Sequence, residues 1–448
     1  MLFRLFPAFD MTWLTHLLTL LATTFLLAVW AVLPWPGAVV LALLFAIWLW
    51  GTRVGGQARS VAAVGFATVP LRLGSSAVIV VGIAGVVGVL VALLAMAEGY
   101  RQTVRATGDE HTVVVMRSGS ASELSSTLDR NSTSLVEQTE GIARNAAGEA
   151  LVSAEIVVAA SLPIANGGPD EEGSVQFRGV GPRALGVRPQ VKIVAGRMFQ
   201  TGLRELVVGR GAARQFVGLV PGKEVQIGGG NWTVAGVFDS GDALSSEIWG
   251  DANVVADSYR RGSSRNSVTI RLERPEAYET LKVLLASNPR LHLKAETTLE
   301  YFSKQSERAT KVLTLIGISV GSIMAVGAVF GALNRMFAAV SSRAREIATL
   351  RAIGFPGLPV VVAVLLETML LALAGGVVGG LVAWTVFDKF QASTMGAGTA
   401  GQLAFMLRVT PELLWTGLKW AIAIGFVGGL FPAIRAARLP VTAALREL

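Results

Sequence analysis

Five apolar runs constrain this chain before anything else: Met11 to Trp50, Leu73 to Ala97, Val312 to Asn334, Thr368 to Phe387 and, interrupted once by Lys419, Leu413 to Ile434. A hydrocarbon core about 30 Å thick needs about 20 helical residues, and each run supplies at least that length. Between the second and third lies a polar block, about Gly99 to Thr310, of mixed charge and short alternating segments. Lipid excludes such a block, because each unpaired backbone group would cost several kcal/mol there. It is read as an aqueous domain, large enough to bury its own core. Composition agrees: 52% of the 448 residues are apolar and 16% are charged, and the mean hydropathy of +0.56 is too high for an ordinary soluble protein.

The sequence has no cysteine, which excludes disulfides and thiolate metal sites and leaves the redox compartment open. A formal charge of +8 would suit nucleic acid. The Lys and Arg residues instead cluster beside the apolar runs, so the basicity is a topology signal and no nucleic-acid partner is expected. With Arg53, Arg59 and Arg72, then Arg335, Arg343, Arg345 and Arg351, then Arg435, Arg438 and Arg446 all placed inside, Gly99 to Thr310 and the loop Asp388 to Glu412 fall outside. The first run is about twice one crossing and is broken at Pro34-Trp35-Pro36-Gly37, which predicts a hairpin of two helices, 12–32 and 36–51. A cleavable signal peptide is the rival reading, since Arg4 precedes the run and Ala28 and Ala31 follow. Six helices with both termini inside result. Lys419 is expected to snorkel from near the outer end of its span, and structural roles are expected for Glu98 and Glu367.

The fold class is thus an α-helical polytopic membrane domain plus a large extracytoplasmic α+β domain. The expected divisions are a hairpin at 1–52, a cytoplasmic segment and first core span at 53–98, the outer domain at 99–310, and three further spans at 311–448. Within the outer domain, Val113 to Met116, Ala154 to Ala160, Arg204 to Val208, Glu224 to Ile227, Asn231 to Phe238, Ala252 to Ala256 and Asn266 to Leu272 read as strands. Ser134 to Ala146, Gly211 to Val217 and Pro275 to Ala286 read as helices. A Gly/Pro-rich break at Asn166 to Gly173 suggests two subdomains. From Glu296 the pattern Leu299, Phe302, Ala309, Val312 runs into the membrane span without a strong breaker, which would make a stiff lever. Catalytic chemistry is thin. His16, His111 and His292 lack metal-ligand spacing, and Gly218 to Glu224 only superficially resembles a phosphate loop, with Glu where Ser or Thr must meet the metal. No catalytic, cofactor or metal residue is assigned.

The informative stretch is Ser341 to Pro356. As a helix over 342–354 it puts Ile347 and Leu350 on one stripe with Arg343, flanked by Arg345, Glu346 and Arg351, while Gly354 can cap it and Pro356 stops it. Arg343 to Gly354, in the pattern R-x-R-E-I-x-x-L-R-A-I-G, resembles the loop signature of FtsX-like, or MacB-type, ABC transporter permeases. Glu367 with Leu370, Leu371, Gly375, Gly376 and Gly379 is similar to that family's next span. Pro432-Ala433, Arg435 to Ala437, Pro440 and Ala443 to Arg446 are similar to its C-terminal ending, and Arg204 to Phe238 is similar to its extracytoplasmic domain.

The resemblance implies that Arg343, Arg345, Glu346, Ile347, Leu350, Arg351, Ile353 and Gly354 form a coupling helix seated in a cytosolic ABC ATPase dimer. ATP and Mg would be bound by that partner and no cofactor by this chain. MacB itself carries a fused N-terminal ATPase that this sequence lacks, so a separate motor polypeptide is expected. The family further implies a paired permease in the bacterial inner membrane with its large domain in the periplasm, and leaves room for a periplasmic adaptor or outer-membrane component. Small residues recur every four positions at Gly317/Gly321, Gly327/Gly331 and Gly375/Gly379, a spacing that lets helices approach closely, either within one chain or between two copies. The expected function is ATP-driven movement of the outer domain for export, efflux, lipoprotein transport or another envelope process. A transmembrane sensor, or a regulator of a cell-wall enzyme by mechanotransmission, is the alternative; a lipid- or wall-directed enzyme fits least.

Overall fold

The computed structural model describes residues 12–68, 73–165, 167–168, 171–286, 292–396 and 399–438. In chain order, the helices α1 (Thr12–Val32), α2 (Trp35–Gly51), α3 (Arg53–Thr68) and α4 (Leu73–Ala106) come first. The strands β1 (Thr112–Arg117), β2 (Val152–Pro163), β3 (Glu172–Val180), β4 (Lys192–Gly196), β5 (Glu205–Gly209), β6 (Glu224–Ile227), β7 (Gly230–Asp239), β8 (Glu247–Asp251), β9 (Ser267–Arg271) and β10 (Leu293–Thr297) follow. Short helices α5 (Arg130–Glu137), α6 (Ala184–Val187), α7 (Arg210–Gln215), α8 (Ala252–Ser258) and α9 (Ala277–Ala286) lie among them. The chain closes with α10 (Thr298–Ser342), α11 (Ala344–Ala352), α12 (Gly357–Phe387), the hairpin β11 (Gln391–Met395) and β12 (Gln402–Met406), and α13 (Pro411–Arg438). Two compact units result, one of residues 1–95, 315–388 and 409–448, the other of residues 96–314 and 389–408.

The first unit is a helical bundle. Among the described residues, four helices are long and apolar enough to cross a membrane: α4, α10, α12 and α13. The two helices expected at 12–32 and 36–51 stand as α1 and α2. By length and composition α2 qualifies as a span together with α3, from which it is bent by 96°. The segment read as a basic cytoplasmic stretch is therefore largely helix. The bend has a local cause: Thr52 leaves helical geometry, its hydroxyl donates to Trp48 O at 2.9 Å and accepts from Gly55 N at 3.0 Å. A Cβ on Gly55 would lie 2.7 Å from Leu49 Cα, so only glycine permits so tight a corner.

Small residues set the packing of this bundle. A side chain at Gly375 would strike Val80 O at 2.8 Å, and one at Gly379 would strike Ala84 O, both on α4. Gly317 and Gly321 meet Leu93 and Leu90 of α4, at 3.3 and 2.8 Å from where their Cβ atoms would stand. These four glycines serve contacts within one chain, whereas Gly327 and Gly331 have nothing within 4 Å. The Lys419 Nζ donates to Ala31 O at 2.7 Å in an exposed bond at the end of α1, where helix carbonyls lack partners, and Trp30 Nε1 donates back to Lys419 O at 2.9 Å.

The second unit is built on a ten-stranded sheet in the order β10-β1-β9-β2-β3-β8-β5-β7-β4, with β6 on β7. Pairs β3/β8 and β5/β7 are parallel and the others antiparallel. One core gathers Phe177, Leu206, Phe216 and Trp232; another gathers Val113, Val115, Ile270 and Leu281. The Gly/Pro-rich stretch does not divide the domain. Its flanks pair as one hairpin, from Ile156 opposite Gly179 to Pro163 opposite Glu172, while residues 166, 169 and 170 lie outside the described set. Ala252 to Ala256 is helix, not strand, because the Asp251 carboxylate accepts from Asn253 N and Val254 N and caps α8. Strands β3, β4, β8 and β10 escape the strand reading of the sequence. The expected outer loop is also part of this unit, since β11 and β12 pair and Ala400 N and Ala404 N donate to Gln176 Oε1 and Ser246 Oγ at 2.9 and 3.0 Å.

At the centre of the sheet lies an ionic cluster that sequence reading missed. Arg178 of β3 is 2% exposed and bonds Glu123, Glu155 and Glu247 at 2.8–2.9 Å. Arg188 also pairs with Glu155, Trp249 Nε1 donates to Glu247, and Ser267 Oγ donates to Glu123. Tyr301 of α10 accepts from Glu123 N at 3.3 Å, tying that helix's first turns to the cluster. Burial pushes the Glu155 carboxyl up, but Arg188 and Arg178 outweigh it and hold it down at about 2.

Candidate coupling site

The segment after α10 folds as α11, shorter at both ends than the expected 342–354. Arg343 is its N-cap, Ile353 its C-cap, and Gly354, at φ +101°, ends it. Two arginines fasten it. Arg343 Nη1 meets Glu367 Oε2 of α12 at 2.8 Å, and Nη2 donates to Gly65 O of α3 at 2.9 Å. Arg351 Nη1 donates to Ala437 O, in the last turn of α13, at 2.7 Å. The guanidinium at a helix C-terminus answers carbonyls that lack helical partners. Glu367, read from sequence as structural, is the acidic half of the first fastening.

Between these ties the apolar stripe turns inward. Ile347 is 6% exposed and Ala348 1% exposed. Ile347, Leu350 and Arg343 line a cavity of about 360 Å³ with Val61 and Ala62 of α3 and Val360 and Val364 of α12. Ile347, expected to seat in a partner, is mostly covered by its own chain in this structure. Leu350 is half-buried. Arg345, Glu346, Thr349, Ala352 and Ile353 are exposed, Ile353 to 69%, and Glu346 and Thr349 also line that cavity. Arg343 and Arg351 are thus tied to neighbouring helices, while Arg345, Glu346 and Ile353 are exposed. Among the described residues no group of three His, Cys, Asp or Glu forms a metal-type cluster.

A bundle of four apolar helices, a fastened amphipathic segment between α10 and α12, and a large mixed α/β domain inserted between α4 and α10 define a permease-type membrane subunit. The family described as MacB-like periplasmic core domain matches residues 76–287, and the one described as FtsX-like permease C-terminal matches residues 318–441. The chain belongs to the MacB-type, FtsX-like ABC permease family.

Relatives include the macrolide export ATP-binding/permease protein MacB of Bordetella avium, 26% identical over 82% of this chain and 57% of that protein. The MacB of Nitrobacter winogradskyi is 33% identical over 32% of this chain and 20% of that protein. The MacB of Salmonella paratyphi A is 28% identical over 51% and 36%. The chain therefore spans little more than half the length of the first of these relatives and less of the others. Among solved structures, the extracellular domain of the noncanonic ABC-type transporter YknZ from Gram-positive bacteria aligns with 42% of this chain and 100% of that one, at 17% identity and TM-score 0.32. The periplasmic region of MacB from Actinobacillus actinomycetemcomitans aligns with 44% and 92%, at 15% identity and TM-score 0.33.

Proposed function

We propose that this chain is the transmembrane subunit of an ATP-driven envelope exporter in a bacterial inner membrane, its motor a separate cytosolic ABC ATPase dimer that holds ATP and Mg. The observation that carries this reading is the fastening of α11. A short helix tied to α3 and α12 at one end and to α13 at the other would transmit a push to three helices at once, and its exposed Ile353 suits a groove in another protein. Ile353 supplies apolar area, worth about 1.5–3 kcal/mol when fully buried before association costs, and Arg345 and Glu346 supply orientation.

The test is Ile353→Asp in the full chain, with copurification of an ATPase and ATP hydrolysis as readouts. Loss of both with an intact, monodisperse permease is expected. Undiminished association and hydrolysis would overturn the assignment. Leu350→Asp is expected to destabilise the bundle as well, because Leu350 faces the internal cavity.

A second copy of the chain is proposed as a further partner. The most apolar window of α10 is 17% buried, against 39–44% for the other three spans, and Gly327 and Gly331 lie on open parts of α10. A periplasmic adaptor or outer-membrane component would engage the outer domain. Mechanotransmission to an envelope enzyme is the second reading, favoured by the 45-residue unbroken length of α10, about 67 Å at 1.5 Å per residue.

A further inference from the structure

The bundle carries a second recess that the coupling reading does not use. An apolar groove of about 930 Å³ is bounded by α1, α2, α3, α12 and α13, and among the described residues Arg59 is its one charged lining residue. Its wall follows α2 from Leu33 and Ala38 at one end to Leu49 and Trp50 at the other. Seventeen residues of helix span about 25 Å, most of a hydrocarbon core about 30 Å thick. Walls of Leu, Val, Ala, Phe and Trp do not hold water, so a long hydrocarbon chain fits this space in both shape and chemistry.

The charged end selects the headgroup. Arg59 follows the 96° corner between α2 and α3. With α2 along the bilayer normal, the 96° corner lays α3 near the membrane plane, and its basic residues Arg53 and Arg59 suit the depth of lipid phosphates. The Arg59 guanidinium stands 4.9 Å from the Trp50 ring centroid, and its Nε is buried without a hydrogen-bond partner. Among the described residues no carboxylate pairs with it. A buried donor on a cation, at the mouth of an apolar slot at headgroup depth, calls for an anionic oxygen joined to an acyl chain.

We propose that this groove binds one anionic glycerophospholipid of the inner leaflet, its phosphate on Arg59 and an acyl chain along α2. The site lies beside the coupling segment, because Ala62 lines both the groove and the cavity under Ile347, and Gly65, on the same helix, accepts from Arg343. Occupancy would brace α3 against α12.

Native mass spectrometry of the full chain, titrated with dioleoylphosphatidylglycerol or dioleoylphosphatidylcholine, tests this. One tight phosphatidylglycerol is expected, preferred by about five-fold, the worth of one cation at the membrane surface. Arg59→Gln is expected to erase the preference and Arg59→Lys to keep it. Ala63→Trp, which fills the groove, is expected to weaken both lipids, whereas Val81→Trp, on an exposed position of α4, leaves both unchanged. An unaltered preference in Arg59→Gln would overturn the headgroup assignment. Undiminished binding in Ala63→Trp would overturn the site and leave the groove to a second copy or an apolar cargo.

Discussion

Arg178 shows how much one residue can hold in place. It neutralises part of three buried carboxylates on separate elements, and with Arg188 the cluster still carries more acid than base. Replacing it by methionine strands Glu123 and Glu247 in the core and leaves Glu155 to Arg188 alone, so Arg178→Met should lower the stability of the outer domain by about 3–5 kcal/mol, read as a lowered unfolding transition of the full chain. The pH dependence has two opposing parts. The Glu155 contribution is present above its ordinary carboxylate range, near 4.5, and is lost as pH falls through about 2. Asp242 behaves inversely: burial raises it from 3.8 to about 6, the folded state holds its proton more tightly, and stability is lost as pH rises through 6. Asp242→Asn should therefore stabilise the protein at pH 7.5 by up to about 2–3 kcal/mol relative to its effect near pH 4, measured by calorimetry at both pH values. A flat difference between the two would remove the burial argument. Sequence alone signals Glu155 faintly, as a charge inside the valine-rich β2; which charge meets which depends on segments far apart in the chain.

At the level of elements, glycine spacing is ambiguous until neighbours are known. The same four-residue repeat occurs at Gly317/Gly321 and Gly327/Gly331, yet the first pair abuts α4 and the second faces open space. Gly321→Leu should therefore destabilise the bundle whatever its oligomeric state, because a side chain there meets Leu90. Gly327→Leu should leave the bundle intact and reduce crosslinking between copies, and unchanged crosslinking would remove α10 as the dimer face. The same lesson applies to Ala252 to Ala256. Its small and β-branched residues satisfy strand preference, and the Asp251 cap reverses that preference with two hydrogen bonds. Hydrophobic runs were legible because membrane length is a strong constraint. The corner at Thr52 was not, since it depends on one hydroxyl and one glycine.

For the whole molecule, two helices run from one unit into the other: α4, divided at residues 95 and 96, and α10, divided at residues 314 and 315. Thr314→Pro should kink α10 at a cost of about 3 kcal/mol. ATPase association at α11 is then expected to survive, while the response of the outer domain to ATP, read by hydrogen exchange at Tyr301 and its neighbours, is lost. A response of wild-type size would dismiss the lever. What the sequence determined by itself was the division into apolar runs and a polar block, the amphipathic segment at Arg343 to Gly354 and half of the strands, because those follow from local length, charge and periodicity. Only the tertiary structure decided which face of α11 is spent on its own bundle, which glycines are already occupied, and where Arg178 and Arg59 find or lack partners. Each of those outcomes depends on atoms brought together from distant parts of the chain, and local pattern carries no record of them.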